Sequence, residues 1–129
     1  MSVNCAAISG NLTRDAELRD AGGTSLLRFT VAVGDSRKVN GRWEKCAHFI
    51  DCIMWGTRAD KLARYLTKGT KVSVQGKLVY SQWEKDGQKR SRVEVRVSEI
   101  DFTTRERQNP VPYPDEVVPY LDETPGWCE

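Results

Sequence analysis

Hydrophobic and polar residues alternate along most of the first 102 residues, and this pattern predicts a protein made mainly of β-strands. Leu27, Phe29 and Val31 are separated by polar residues, which is the period-two pattern of a half-buried strand. The alternation shifts by one residue after Val97, so we expect a β-bulge near Ser98. The predicted strands comprise residues 4–12, 27–33, 46–55, 71–78 and 92–102.

The segment Thr57–Leu66 has the spacing of a helix. Thr57 and Asp60 resemble a capping box, with Asp in place of the usual Glu, and Gly69 is placed to end the helix. Four apolar residues recur at the spacing of one helix face: Ala59, Leu62, Ala63 and Leu66. We therefore expect a helix of about three turns.

Two strand connections contain the signals of tight hairpin turns. Asn40-Gly41 lies within residues 35–44 and Asp86-Gly87 within residues 84–91, and both dipeptides favour two-residue turns. Lysine and arginine residues surround both turns. Five strands with one short helix between the third and fourth is the element order of an all-β, Greek-key oligonucleotide-binding (OB) barrel.

The charge is divided between a basic body and an acidic tail. Residues 1–102 carry 18 Lys or Arg against 12 Asp or Glu, whereas residues 103–129 carry 2 against 6, and the whole chain has a net charge of +2. All five prolines lie from Pro110 onward. We expect a domain over residues 1–102 that binds an anionic partner, and a short acidic, proline-containing tail over residues 103–129.

The four cysteines predict neither a disulfide framework nor a metal centre. They form no C-x-x-C pair, and Cys46 and Cys52 are about 20 Å apart if they share one strand at ~3.3 Å per residue. Cys46 and His48 would share a strand face and resemble the start of a zinc site, but a second ligand cluster is missing. We therefore expect small buried thiols and no metal.

Neither a membrane span nor a catalytic motif is present in the sequence. No apolar run reaches the ~18 residues that a membrane helix needs, and the N-terminus does not resemble a secretory signal. With a lone His48, no nucleophile motif and no phosphate-binding loop, we expect a cytoplasmic protein that is not an enzyme and needs no cofactor.

Aromatic residues lie among basic residues on the predicted outward side of the strands. Phe49, Trp55 and Trp83 face outward by strand parity, and Trp43 lies at the base of the first basic hairpin. Exposed rings of this kind stack on nucleobases of any sequence while basic side chains neutralise phosphates. The basic candidates are Arg37, Lys38, Arg42, Lys77, Lys85, Lys89, Arg90 and Arg96.

Several collinear motifs resemble the bacterial single-stranded DNA-binding protein family. They are S-G-N-L-T-R-D-A-E-L-R at residues 9–19, F-T-V-A-V at 29–33, M-W-G at 54–56, Y-L-T-K-G at 65–69 and V-Q-G-K-L at 74–78, followed by Trp83 and Asp86-Gly87. The resemblance implies a homotetramer, or a dimer-based variant, that wraps single-stranded DNA. It also implies base stacking by Phe49, Trp55 and Trp83, with Trp43 standing near the position of a further family aromatic.

Two features depart from the family pattern. Asp51 lies where a basic or neutral residue is usual, so it either weakens phosphate attraction locally or pairs with a neighbouring cation. The tail lacks the usual long linker and terminal phenylalanine. By resemblance, its Asp122, Glu123, Pro125 and Trp127 would dock replication and repair proteins.

The sequence therefore predicts a protein that binds single-stranded DNA without sequence preference and protects it during replication, recombination and repair. Two alternatives stay open. In one, the barrel is a protein-interaction module whose rings form subunit contacts; in the other, the strand bound is RNA, because stacking surfaces accept either sugar.

Overall fold

A computed structural model describes residues 2–103 and the backbone of residues 126–127. This part of the chain is mostly strand, with one short helix. The elements are β1 (Ala6–Leu12), β2 (Glu17–Ala21), β3 (Thr24–Val39), β4 (Arg42–Trp55), α1 (Thr57–Leu62), β5 (Lys71–Lys85), β6 (Gln88–Phe102) and β7 (Gly126–Trp127).

The strands form a sheet that closes on itself. The hydrogen-bonded order is β2-β3-β1-β5-β6-β4-β7, and an additional pairing of β3 with β4 completes the ring. Most neighbours are antiparallel, whereas β4 pairs with β6 in parallel through Cys52↔Val95 and Ile53↔Arg96. The predicted OB barrel is confirmed, and β2 and β7 are short strands that the sequence pattern did not reveal.

The core lies inside the ring and follows the predicted alternation. Leu27 and Val31 of β3, Met54 of β4, and Val72 and Val95 of β5 and β6 are almost completely buried. Truncating a buried leucine or methionine of this kind to alanine costs about 2–5 kcal/mol. The side chains of opposite parity on the same strands therefore point away from the core.

A β-bulge interrupts the pairing of β5 with β6 at the predicted place. Gln75 pairs with Glu99 and Gly76 with Val97, so Ser98 is the extra residue. The backbones approach closely here, because a Cβ added at Gly76 would lie 1.9 Å from the carbonyl oxygen of Arg96. Only glycine fits at residue 76 without a backbone shift.

The helix is shorter than predicted and is capped differently. It ends at Leu62 rather than Leu66, and its N-cap, Gly56, makes no side-chain capping bond. The expected capping box is wrong because Asp60 instead accepts a hydrogen bond from the Ser25 hydroxyl at 2.6 Å. Ala59 and Leu66 are nevertheless buried, so the predicted apolar residues do pack on the barrel.

Both predicted hairpin turns are present, and their arms are longer than the sequence pattern indicated. Asn40 and Gly41 both have positive φ, as do Asp86 and Gly87, which is the conformation of a two-residue type I′ turn. The β3–β4 pairing continues from the barrel out to Val39↔Arg42. The β5–β6 pairing likewise reaches Lys85↔Gln88.

The cysteines differ from the expectation of four small buried thiols. Cys52 is buried and free, but Cys5 is free and exposed. Cys46 is disulfide-bonded. The expectation was wrong for Cys46 because strand spacing excludes only a bond to Cys52 within the same strand, and says nothing about more distant partners.

The end of the predicted tail contributes the strand β7. Gly126 and Trp127 pair in parallel with Cys46 and Ala47 of β4. This pairing extends the edge of β4 beyond the short stretch where β4 pairs with β6. The predicted tail residues Asp122, Glu123 and Pro125 lie outside the described residues.

Candidate nucleic-acid interface

The outward-pointing side chains of β3, β4, β6 and β5 form one continuous surface, here called the outward face. Its rows are fixed by strand register. In one row, Arg28 is paired with Ile53, Ile53 with Arg96, and Arg96 with Lys77. This row therefore contains three cations, with Ile53 between Arg28 and Arg96, and such an arrangement attracts a polyanion.

The predicted stacking rings lie on this face with different degrees of exposure. Trp43, Phe49 and Trp55 are all odd-numbered residues of β4. Their parity is opposite to that of Cys52 and Met54, which belong to the core cluster. Trp43 is 71% exposed and Trp55 39% exposed, whereas Phe49 is half-buried. Trp83 of β5 is 36% exposed. Three indoles thus keep surface on which a base can stack.

The predicted basic residues divide between the two sides of the hairpin arms. Lys38 is paired with Trp43, and Arg90 with Trp83, so these cations share the outward face with the rings. Lys77, Lys85 and Arg96 have the same parity. The opposite parity is found for Arg37, Arg42 and Lys89, which are paired with Glu44, Val39 and Glu84 respectively.

A charged cluster that the sequence interpretation missed lies in the middle of the outward face. Glu94 of β6 is only 4% exposed, and its Oε2 atom is 2.5 Å from Nη1 of Arg28 and 3.5 Å from Nη1 of Arg92. The Arg92 guanidinium in turn lies 4.7 Å from the centre of the Trp83 ring. Strand parity could have placed both residues on this face, because Arg92 and Glu94 have the same parity as Arg96.

Asp51, the acidic departure from the family pattern, is held by a neutral partner. Its Oδ1 atom accepts a hydrogen bond from the Thr30 hydroxyl at 2.8 Å, across the β3–β4 pairing. Asp51 is exposed, and the parallel register that pairs Cys52 with Val95 places Asp51 beside Glu94. The outward face therefore carries a small acidic centre inside a basic surround.

Two titratable groups on the core side of β3 and β4 have shifted pKa values. The hydrogen bonds from His48, at 3.0 Å, and from the Ser36 amide lower the pKa of the Asp35 carboxyl. Burial raises the pKa of the Cys52 thiol to about 12, and the charges of Asp51 and Glu94 add to this effect. Cys52 is therefore protonated and unreactive at neutral pH.

The tail residues predicted to contact partners are only partly within the described structure. The backbone of Trp127 is paired with Ala47 at the edge of β4. Ala47 belongs to the odd-numbered side of β4, together with Trp43 and Phe49. The strand β7 thus lies along the edge of the strand that carries Trp43 and Phe49.

The described residues hold no group of three or more His, Cys, Asp or Glu side chains arranged to bind a metal ion. Within the same residues, no helix has the length and apolar character needed to cross a membrane.

Comparison with known proteins identifies a family. Residues 3–103 match the sequence profile of the single-strand binding protein family. A Treponema pallidum protein named single-stranded DNA-binding protein is 40% identical over 101 residues, which cover 78% of this chain and 57% of that protein. A Borreliella burgdorferi protein of the same name is 38% identical over 103 residues, covering 78% and 69% of the two chains.

A solved structure supports the same assignment. The crystal structure of a deletion mutant of the single-stranded DNA-binding protein from Thermus aquaticus superposes with a TM-score of 0.69 and 30% identity. The superposition covers 80% of this chain and 51% of that one. The present chain thus corresponds to only part of the length of these relatives.

Proposed function

This chain belongs to the single-strand binding protein family, and on that premise we propose that it binds single-stranded DNA without sequence preference. In this proposal, bases stack on rings of the outward face while lysine and arginine side chains neutralise phosphates. The bound strand is protected during replication, recombination and repair. No chemical reaction is catalysed, and the protein acts in the cytoplasm, on the DNA of the nucleoid.

The observation that carries the proposal is the placement of exposed indoles among cations on one face. Trp43 is paired with Lys38, and Trp83 with Arg90, so a ring and a cation are neighbours on each hairpin. Trp55 lies on the same face as the row formed by Arg28, Arg96 and Lys77. A surface that offers both stacking and positive charge suits a sequence-tolerant binder of single strands.

The test is a titration of intrinsic tryptophan fluorescence with poly(dT) at two salt concentrations. We expect saturable quenching, with log affinity falling by about 0.7 per log unit of salt for each phosphate neutralised. Duplex DNA of mixed sequence is the control and should bind much more weakly. Absence of both quenching and binding would refute the proposal and favour the alternative in which the rings are protein contacts.

Poly(U), measured in the same way, tests the RNA alternative. The outward face shows stacking rings and cations but does not by itself distinguish the two sugars. We expect tighter binding of poly(dT) at equal length and salt. Equal or tighter binding of poly(U) would extend the substrate class to RNA.

We further propose that the chain associates into a homotetramer, with a dimer as the alternative. The support is an exposed apolar patch on the opposite side of the β5–β6 hairpin, made of Leu78 (48% exposed), Tyr80 (63%) and Val93 (55%). Tyr80 and Val93 are directly paired across the two strands. Contiguous exposed apolar residues of this kind are typical of subunit contacts.

Light scattering after size-exclusion chromatography measures the mass of the assembly. Replacing Tyr80 with Glu is expected to lower that mass. The matched control is Leu18→Glu, which introduces the same charge at an exposed leucine of β2 and should leave the mass unchanged. A monomeric wild-type protein would contradict the proposed association.

The tail is proposed to dock replication and repair proteins through Asp122, Glu123, Pro125 and Trp127. The support is its sequence, which contains acidic but no basic residues from Pro110 onward and includes the apolar Trp127. The test compares the full chain with a chain that ends at residue 109 for binding to purified replication and repair proteins. Equal binding by both would refute a docking role for the tail.

A further inference from the structure

We infer that Glu94 is a positioning residue for the DNA-binding face: it holds Arg92 against one side of the Trp83 indole and so keeps the other side ready for a base. The inference rests on the proposed function, because it assigns Trp83 a stacking role. Glu94 is negatively charged, whereas a surface that binds phosphates is expected to carry positive charges.

The first step is that a buried carboxylate on this face needs an explanation. Glu94 lies in a row of outward-pointing residues, yet only 4% of its side chain is exposed. Burial of a charge is unfavourable unless it is paired and hydrogen-bonded, and a negative charge repels DNA. Direct contact with a phosphate therefore does not account for Glu94.

The second step is the pairing that Glu94 makes. One of its oxygens, Oε2, contacts both Arg28 from β3 and Arg92 from its own strand. The contact to Arg28 joins residues that are 66 positions apart in the chain. Glu94 therefore anchors Arg92 to the closed part of the barrel rather than to the hairpin alone.

The third step is the contact that Arg92 makes on its other side. Its guanidinium carbon lies 4.7 Å from the centre of the Trp83 ring, which is within the range of a cation–π interaction. Trp83 keeps 36% of its surface exposed. A ring that is supported on one face loses less freedom when a base stacks on the other, because the side chain is already ordered.

Replacement of Glu94 by Gln separates this positioning role from simple electrostatics, because the two predict opposite changes in the affinity for DNA. Removing a carboxylate beside the DNA path should tighten binding if only charge matters. Loss of the support for Trp83 should instead weaken binding of oligo(dT), by about 2- to 5-fold as expected for a cation–π contact. The control is Glu99→Gln, an exposed residue of the same strand, which removes the same charge and should not weaken binding.

A second variant keeps the test decisive if Glu94→Gln does not fold. Arg92→Lys retains the positive charge but loses the planar guanidinium that bridges the carboxylate and the ring. We expect weaker oligo(dT) binding with an unchanged salt slope. Binding equal to that of the wild type by Arg92→Lys, or by a normally melting Glu94→Gln, would overturn the inference.

A readout without DNA distinguishes failure of this inference from failure of the proposed function. In a full-length protein whose other tryptophans are replaced by Phe, acrylamide quenching reports the accessibility of Trp83. Glu94→Gln should increase that quenching, whereas Glu99→Gln should not. Unchanged quenching in Glu94→Gln refutes the positioning role even if the wild type binds DNA. A wild-type protein that does not bind poly(dT) refutes the proposed function, whatever the quenching shows.

Discussion

Truncation of Trp55 to alanine is the most direct test of stacking on the outward face. Trp55 lies at the end of β4, where it is paired with Leu26, and it is 39% exposed, so its side chain is partly covered and partly open to solvent. Stacking of one base on an aromatic ring contributes about 1–3 kcal/mol. We therefore expect the Kd for oligo(dT) to rise by about 5- to 150-fold.

The assay should report affinity without relying on the deleted fluorophore. Anisotropy of a labelled oligo(dT), measured at several salt concentrations, meets this need, and the salt slope should not change because no charge is removed. Trp55→Phe is the matched control, since it keeps an aromatic surface and should retain most of the affinity. Thermal melting checks the fold, because partial packing of the ring makes some loss of stability expected.

Two results would refute the reasoning about Trp55. One is an affinity within about 2-fold of the wild type, far below the effect of a lost stack, in a variant that melts normally. The other is an equal loss of affinity in Trp55→Ala and Trp55→Phe, which would assign the effect to a shape change rather than to stacking.

Four further predictions concern the barrel, its thiols and its tail. Gly76→Ala should lower the free energy of unfolding by about 1–3 kcal/mol in chemical denaturation, because the added Cβ would lie 1.9 Å from the Arg96 carbonyl oxygen. Ser73→Ala on the same strand is the control. Equal stability of the two variants would contradict the close approach of the two backbones. At pH 8, a thiol reagent should modify exposed Cys5 but not buried Cys52, whose pKa is raised to about 12, and modification of Cys52 in the native protein would show that its burial is not maintained. Peptide mapping without reductant should recover Cys46 in a disulfide-linked peptide, because Cys46 is disulfide-bonded, and recovery of Cys46 as a free thiol would count against this bond. Deleting residues 110–129 should tighten oligo(dT) binding at low salt, because the segment is acidic and its strand β7 pairs with β4, the strand that carries Trp43 and Trp55. An unchanged Kd would show that the tail does not compete with DNA.

The sequence predicted those parts of the fold in which the alternation of hydrophobic residues matches their burial in the core. The parity of Leu27, Val31 and Met54 identified the core side of the strands, and the parity shift after Val97 located the bulge at Ser98. The outer arms of the hairpins were missed because neither of their sides packs on the core. Hydrophobic alternation therefore ends before the strand does.

The errors have a common physical origin in contacts between distant segments. Asp60 was expected to cap its own helix, but Ser25 of β3 offers a hydroxyl to it. The contact between Arg28 and Glu94 needs the closed barrel, because the parallel pairing of β4 with β6 brings β3 and β6 to either side of one strand. Side-chain periodicity along one segment contains no information about such partners.

The long register of the β3–β4 hairpin also restricts how this region tolerates changes in length. Its pairs run without interruption from Leu26↔Trp55 to Val39↔Arg42. Loss of one residue from a single arm would turn every side chain beyond it to the other side of the sheet. Lys38 or Trp43 would then no longer lie on the face that carries Trp55. Loss of two residues from that arm would return these side chains to their original face. Variants of this hairpin that keep the outward face intact should therefore differ by even numbers of residues per arm.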